Sequence, residues 1–238
     1  MSHVRRLKEE LKKYHELKVG ENDGEKIYAL DYDESDITTI HAVVKGPVDS
    51  LYKWKFVRLE MKFKHTYPFD PPEVKFMQYG GYRIHPNLYV QGKVCLSILN
   101  TWTGPKWQPT LNIDTILRTI QSLLDNEPYV HEPEQRDNKE YNTFVEYHTW
   151  KTMFLDLHKR TAERPELQAF MLASTLESAS SIKRYMKRKA SEQASPSRLH
   201  VAPYGIGTQM IDWKALAKQI NTFLQDYEWR CVYIDFCS

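Results

Sequence analysis

The residues best suited to chemistry sit in one run, HPNLYVQGKVCLSIL, at positions 85–99. Cys95 is its candidate nucleophile. A thiolate attacks acyl carbon and departs from it readily, so a free cysteine here offers an acyl relay. Asn87, eight residues upstream, carries two amide N–H donors, the equipment for receiving a developing oxyanion. His85 and Pro86 precede it. A plainer reading stands beside this one. Cys95 lies between Val94 and Leu96, and free cysteine is among the most buried residue types. His85 can likewise be a hydrogen-bonded core histidine. A third reading is a cysteine hydrolase, with His85 or His131 as the base that such chemistry needs close by.

Composition narrows the class. The chain has 238 residues, of which 41% are hydrophobic and 27% charged, a soluble globular balance. A net charge of +2 gives no reason to expect a nucleic-acid partner. The apolar runs are too short to span a bilayer, and the charged opening MSHVRRLKEELKKY is not a secretory signal. The three cysteines, Cys95, Cys231 and Cys237, form no CxxC pair, and the nine histidines lack ligand spacing. No disulfide framework, metal or cofactor is expected. The setting expected is the cytoplasm or nucleus, where a thiol stays free.

The elements that must position Cys95 follow from periodicity. Val4, Leu7, Leu11 and Tyr14 predict a helix capped by Ser2. KIYALDY, TTIHAVVKG, FVRLEMKF and EVKFMQY predict an antiparallel four-strand meander, with one face buried against helices in an α+β fold. Between Tyr79 and Gln108, glycines and prolines break all periodicity while aromatics persist, the pattern of an ordered functional loop. Ile113, Ile116, Leu117, Ile120 and Leu124 then give a helix capped by Asn112 or Thr110. Residues 1–136 read as the core and 137–238 as a helical extension. Its stripes run over Tyr141 to Phe154, from Pro165 into KRYMKRKAS, and over Asp212 to Tyr227, with a linker near 190–205. The tail WRCVYIDFC reads as a strand or apolar plug. Lys183, Arg184, Lys187, Arg188 and Lys189 read as a helix end complementing its dipole, with a nuclear import signal as the alternative.

The order of these features resembles the ubiquitin-conjugating enzyme family. A helix, the meander, YPFDPP at 67–72, HPN at 85–87, CLSIL from Cys95, Trp107-x-Pro109 and TILRTIQSLL follow in that family's sequence over about residues 1–135. Four extra residues in LNTWTGPKW, a long acidic loop NEPYVHEP and an extension containing APYGIGTQMIDWKALAKQI resemble its Z subfamily.

The resemblance implies a thioester relay. Ubiquitin or a ubiquitin-like modifier passes from an activating enzyme to Cys95 and then, usually with a ubiquitin ligase, to a lysine of a protein substrate. It gives Asn87 either the oxyanion or support of the active-site loop, and makes His85 and Pro86 structural. Glu132, before Pro133, falls where the family keeps an acid that eases lysine deprotonation. Phe69, Trp107 and Pro109 fall at the ligase surface, and Arg5, Arg6, Lys8 and Lys12 on the helix that meets the activating enzyme. There are departures. Asp70 stands where many members have Lys, Ser97 where Asp is frequent, and YKWKF at 52–56 lacks the usual Gly-Gly. In the Z subfamily the charging enzyme is the non-standard activating enzyme, and the modifier is ubiquitin or a tandem ubiquitin-like protein.

Overall fold

The computed structural model describes residues 2–16, 20–22, 24–77 and 80–237, with side chains, other than that of Asn22, to Tyr227. Helix α1 (His3–Glu16) leads into a small hairpin, β1 (Glu21–Asn22) and β2 (Glu25–Lys26). The meander follows as β3 (Tyr28–Asp33), β4 (Asp36–Lys45), β5 (Phe56–Lys62) and β6 (Glu73–Phe76). It is one antiparallel sheet in the order β3-β4-β5-β6. The end of the expected EVKFMQY strand, Gln78 and Tyr79, lies outside the described residues. Helix α2 (Ile113–Leu123) comes after the irregular stretch, and Asn112 caps it by accepting from Thr115 N–H at 2.9 Å.

Alternation puts Tyr28, Leu30, Ile40, Ala42, Val44, Val57, Leu59 and Met61 on one sheet face. There they join Leu7, Leu11, Ile116, Leu117 and Ile120 in the main core. The opposite face is covered too, which the expectation of a single buried face did not include. Ala29, Val43 and Phe56 pack there against Leu157, Leu167 and Met171. The unbroken run Ala42-Val43-Val44, all fully buried, is the composition of a strand with apolar cover on both sides.

The covering elements belong to the C-terminal part. Helix α3 (Lys139–Thr149) continues through a π-helical stretch (Trp150–Asp156) into α4 (Leu157–Arg160). Helices α5 (Pro165–Glu177) and α6 (Ala179–Glu192) break at Ser178, so the single stripe expected from Pro165 is two helices. Much of the expected linker near 190–205 is structured. Strand β7 (Ser197–Val201) pairs with β8 (Gly207–Ile211) around a short 3-10 turn (Pro203–Gly205). The pairing gives these polar residues backbone partners that composition does not reveal. Helix α7 (Trp213–Cys237) runs through the expected plug, and the Cys231 and Cys237 side chains lie outside the described ones.

Tyr141, Phe144, Val145, Met153, Val201 and Ile206 enter the main core. A second core joins Trp150 and Phe154 to Ile182, Met186, Leu216 and Ile220. The turn before β5 binds it: Trp54, at φ 64, lies against Trp150 and Tyr185. Lys55 is buried and donates to the carbonyls of Leu51 (2.6 Å) and Glu146 (3.0 Å). Burial draws its pKa down to about 7, against the opposing pull of Glu146.

Candidate active site

Cys95 is held by short main-chain pairings rather than by a regular element. Leu88 makes single antiparallel bridges with His85 and Val94. The Cys95 N–H donates to the Asn87 carbonyl at 2.9 Å, and Asn87 Nδ2 donates to the Cys95 carbonyl at 2.7 Å. The cysteine and the asparagine are therefore tied together twice. Beyond them, Thr101 Oγ1 accepts from Leu96 N–H at 2.9 Å and donates to the Val94 carbonyl at 2.8 Å, pinning the chain on both sides of Cys95. Asn87 Oδ1 is buried without a hydrogen-bond partner.

His85 is fully buried, with both ring nitrogens in use. Nδ1 accepts from Asn87 N–H at 3.0 Å and Nε2 lies 2.9 Å from the Leu123 carbonyl. A carbonyl only accepts, so the proton is on Nε2. Burial, and then the neighbouring His131, hold the pKa of His85 down to about 3, so the ring stays neutral. His131 is 2.7 Å from Asp125 through its own Nε2. A hydrolase needs a histidine open to its cysteine, and these two rings are bonded elsewhere. Pro86 is buried and its carbonyl accepts from Arg83.

Glu132 follows the 3-10 turn Pro128–His131. Its Oε2 receives the Tyr204 hydroxyl at 2.5 Å and lies 3.7 Å from Arg83. Arg83 thus bridges Glu132 and the Pro86 carbonyl. Its guanidinium also lies over the rings of Tyr89 (3.7 Å) and Tyr204 (4.5 Å). Sequence reasoning passed over both Arg83 and Tyr204. Their signals were slight: a cation two positions before HPN, and a tyrosine between Pro203 and Gly205 where a turn is due.

Burial does not distinguish a nucleophile from a packing residue, since Cys95 is 1% exposed. Comparison with known proteins gives the family in which to read it. The family model described as "Ubiquitin-conjugating enzyme" matches residues 6–152. The chain belongs to the ubiquitin-conjugating enzyme family. It is similar to ubiquitin-conjugating enzyme E2 Z of Homo sapiens, 41% identical over 154 residues, 61% of this chain and 44% of that protein. The Xenopus tropicalis E2 Z is 33% identical over 202 residues, 81% of this chain and 64% of that one. Human BIRC6, a dual E2 ubiquitin-conjugating enzyme and E3 ubiquitin-protein ligase, is 42% identical over 108 residues, 42% of this chain and 2% of its own length. The chain spans about half the length of the human and rat E2 Z proteins it matches.

The other residues singled out in this chain are scattered over its surface and core. Phe69 is 72% exposed and Pro109 is exposed, but Trp107 is buried. Its Nε1 donates to the Pro68 carbonyl at 2.7 Å, so it braces the Phe69 loop from beneath and is not available as a docking side chain. On α1, Arg5, Lys8 and Lys12 are exposed. Arg6 is spent inside the fold, against Glu10 at 2.5 Å and the Leu111 carbonyl at 3.1 Å. Among the described residues, no group of three His, Cys, Asp or Glu is placed to hold a metal, and no helix is long and apolar enough to cross a membrane.

Proposed function

We propose that this protein accepts ubiquitin or a ubiquitin-like modifier on Cys95 and transfers it to a lysine. The observation that carries the reading is the double tie between Asn87 and Cys95 inside a chain of this family. In the first step, Cys95 sulfur bonds to the modifier's carboxyl-terminal carbon. The bond to the activating enzyme's sulfur breaks, and the proton lost by Cys95 balances the one gained by the released thiol. No permanent base is needed between thioesters of similar energy. In the second, a lysine amine attacks that carbon, a C–N bond replaces the C–S bond, and the amine's surplus proton is matched by the one the Cys95 thiolate regains.

Asn87 has two amide hydrogens; one holds the Cys95 carbonyl and the other serves the oxyanion during attack by the amine. Glu132 orients the incoming lysine. Phe69 and Pro109 receive a ligase, and Arg5, Lys8 and Lys12 the activating enzyme. The extension from residue 137 helps select the activating enzyme and modifier, and the protein works in the cytoplasm or nucleus.

The test is charging with activating enzyme and ATP, using each activating enzyme and each modifier. Wild type gives an adduct cleaved by reductant. Cys95→Ser gives at most a reductant-resistant ester and Cys95→Ala none. Persistence of the adduct in Cys95→Ala, or its loss on changing Cys231 or Cys237, refutes the assignment.

A further inference from the structure

Tyr204 reaches the acid loop from a different part of the chain. It sits at the tip of the β7–β8 hairpin in the extension, yet its hydroxyl ends on Glu132. Three features show that the placement is built. The residue adopts a left-handed conformation, φ 55 and ψ 19, which costs a tyrosine about 1–2 kcal/mol where glycine adopts it freely. Its ring meets Tyr129 and Tyr141 edge-on, with centroids 5.8 and 5.6 Å apart. Its third neighbour is the Arg83 guanidinium. Burial first, then the bond to Glu132, raise the pKa of the phenol, so it remains a donor. Tyr141, also from the extension, donates to the Arg83 carbonyl at 2.9 Å. Among the described residues, the contacts of the Glu132 carboxylate with Tyr204 and Arg83 both fall on Oε2. Oε1 is left to meet a cation.

We propose that Tyr204 is a positioning residue for lysine transfer: with Arg83 it fixes Glu132 so that Oε1 receives the incoming lysine ammonium. Arg83 also holds the Pro86 carbonyl, one residue before Asn87, so the same clasp sets the acid and the Asn87 segment relative to each other. The extension thereby supplies part of the transfer site. This rests on the thioester reading of Cys95.

The experiment compares wild type, Tyr204→Phe, Glu132→Gln and the double variant in the full chain. Each is charged at Cys95, freed of ATP, and followed as the thioester is lost to free lysine and, separately, to water. Tyr204→Phe keeps the ring and removes one hydrogen bond. Charging is expected to stay within about twofold, and loss to lysine to slow about tenfold, the lower worth of a hydrogen bond to a charged group. Loss to water is expected to be unchanged. The double variant should be no slower than Glu132→Gln alone, because Tyr204 acts through Glu132. If Tyr204→Phe discharges like wild type, if lysine and water discharge slow together, or if the two substitutions multiply in full, the proposal is overturned. Should Tyr204→Phe melt early, Arg83→Gln removes the other support of Oε2: loss to lysine should slow and loss to water should not, and equal slowing of the two overturns the proposal. A wild type that forms no thioester overturns the function itself, a separate outcome.

Discussion

Asn87→Ala tests the double tie most directly. The substitution removes the 2.7 Å bond from Nδ2 to the Cys95 carbonyl and leaves the Cys95 N–H to Asn87 carbonyl bond in place. One half-buried neutral hydrogen bond is worth about 1 kcal/mol in stability. In a chain of this size that lowers Tm by about 2–4 °C. If the side chain only held the loop, the same energy would slow charging and discharge alike by about fivefold. The role proposed for the second amide hydrogen, at the oxyanion, predicts more. Loss of an oxyanion donor costs about 10²–10³-fold, and it should show in aminolysis, the more difficult step. The expected result is charging within about threefold of wild type and lysine discharge slowed by about 10²-fold. The assay is single-turnover discharge at matched thioester levels. A parallel fall of tenfold or less in both steps refutes the oxyanion role and leaves only the loop-holding one. Asn87→Asp keeps the shape and should be at least as slow, since an ionised carboxylate has no donor for either oxygen.

Acid should unfold the protein through its buried histidines. Burial holds the pKa of His85 and of His158 down to about 3, while the unfolded chain takes up both protons near pH 6.5. The unfolded state therefore binds more protons in between, and stability falls with pH by about 1.4 kcal/mol per histidine per pH unit below about 6.5; a Tm that is flat from pH 7 to 5 contradicts this. Trp54→Gly should relieve a left-handed tryptophan, worth about 1–2 kcal/mol, but lose ring contacts and apolar cover worth about 3 kcal/mol. A net Tm loss of about 2–8 °C is expected, and a gain in Tm would show that the turn does not anchor the extension. A chain ending at Gln135 loses the six extension residues of the main core. At about 1.5–3 kcal/mol each, they match the whole stability of a typical domain. No cooperative melt is expected, and a cooperative one near the wild-type Tm would show that the extension is separable.

The meander and α2 were legible because each carries a local signal: β-branched runs between turns, and a five-residue apolar stripe behind a capping asparagine. Asn87 and Cys95 were legible as suitable residue types eight positions apart, but not the two hydrogen bonds that tie them. Long-range contacts were not legible. Nothing local to Trp107 says that its indole N–H reaches Pro68; Glu10 lies one helical turn from Arg6 and is a local partner, but nothing local says that the Leu111 carbonyl takes the same guanidinium. The β7–β8 hairpin was hidden for a similar reason. Its residues are polar and read as linker, and only pairing across the turn makes strands of them.

One departure from the family pattern did announce the extension. YKWKF lacks the usual Gly-Gly, and the replacement looked like a change of turn and surface. In the fold, Trp54 keeps the positive φ that glycine would adopt freely, and adds a ring that lies against Trp150 and Tyr185. Lys55 exchanges solvent for two carbonyls, one of them on α3. Both changes are unfavourable for an isolated core: a strained tryptophan and a buried amine. They become favourable when α3 and α6 are present. The same logic holds at the Glu132 loop, where Tyr204 accepts a left-handed backbone in order to reach Glu132. At these two places local sequence preference is overridden, and at both the overriding partner joins the core and the extension. The core and extension of this chain are therefore adapted to each other, from the turn before β5 to the acid loop beside the Cys95 segment.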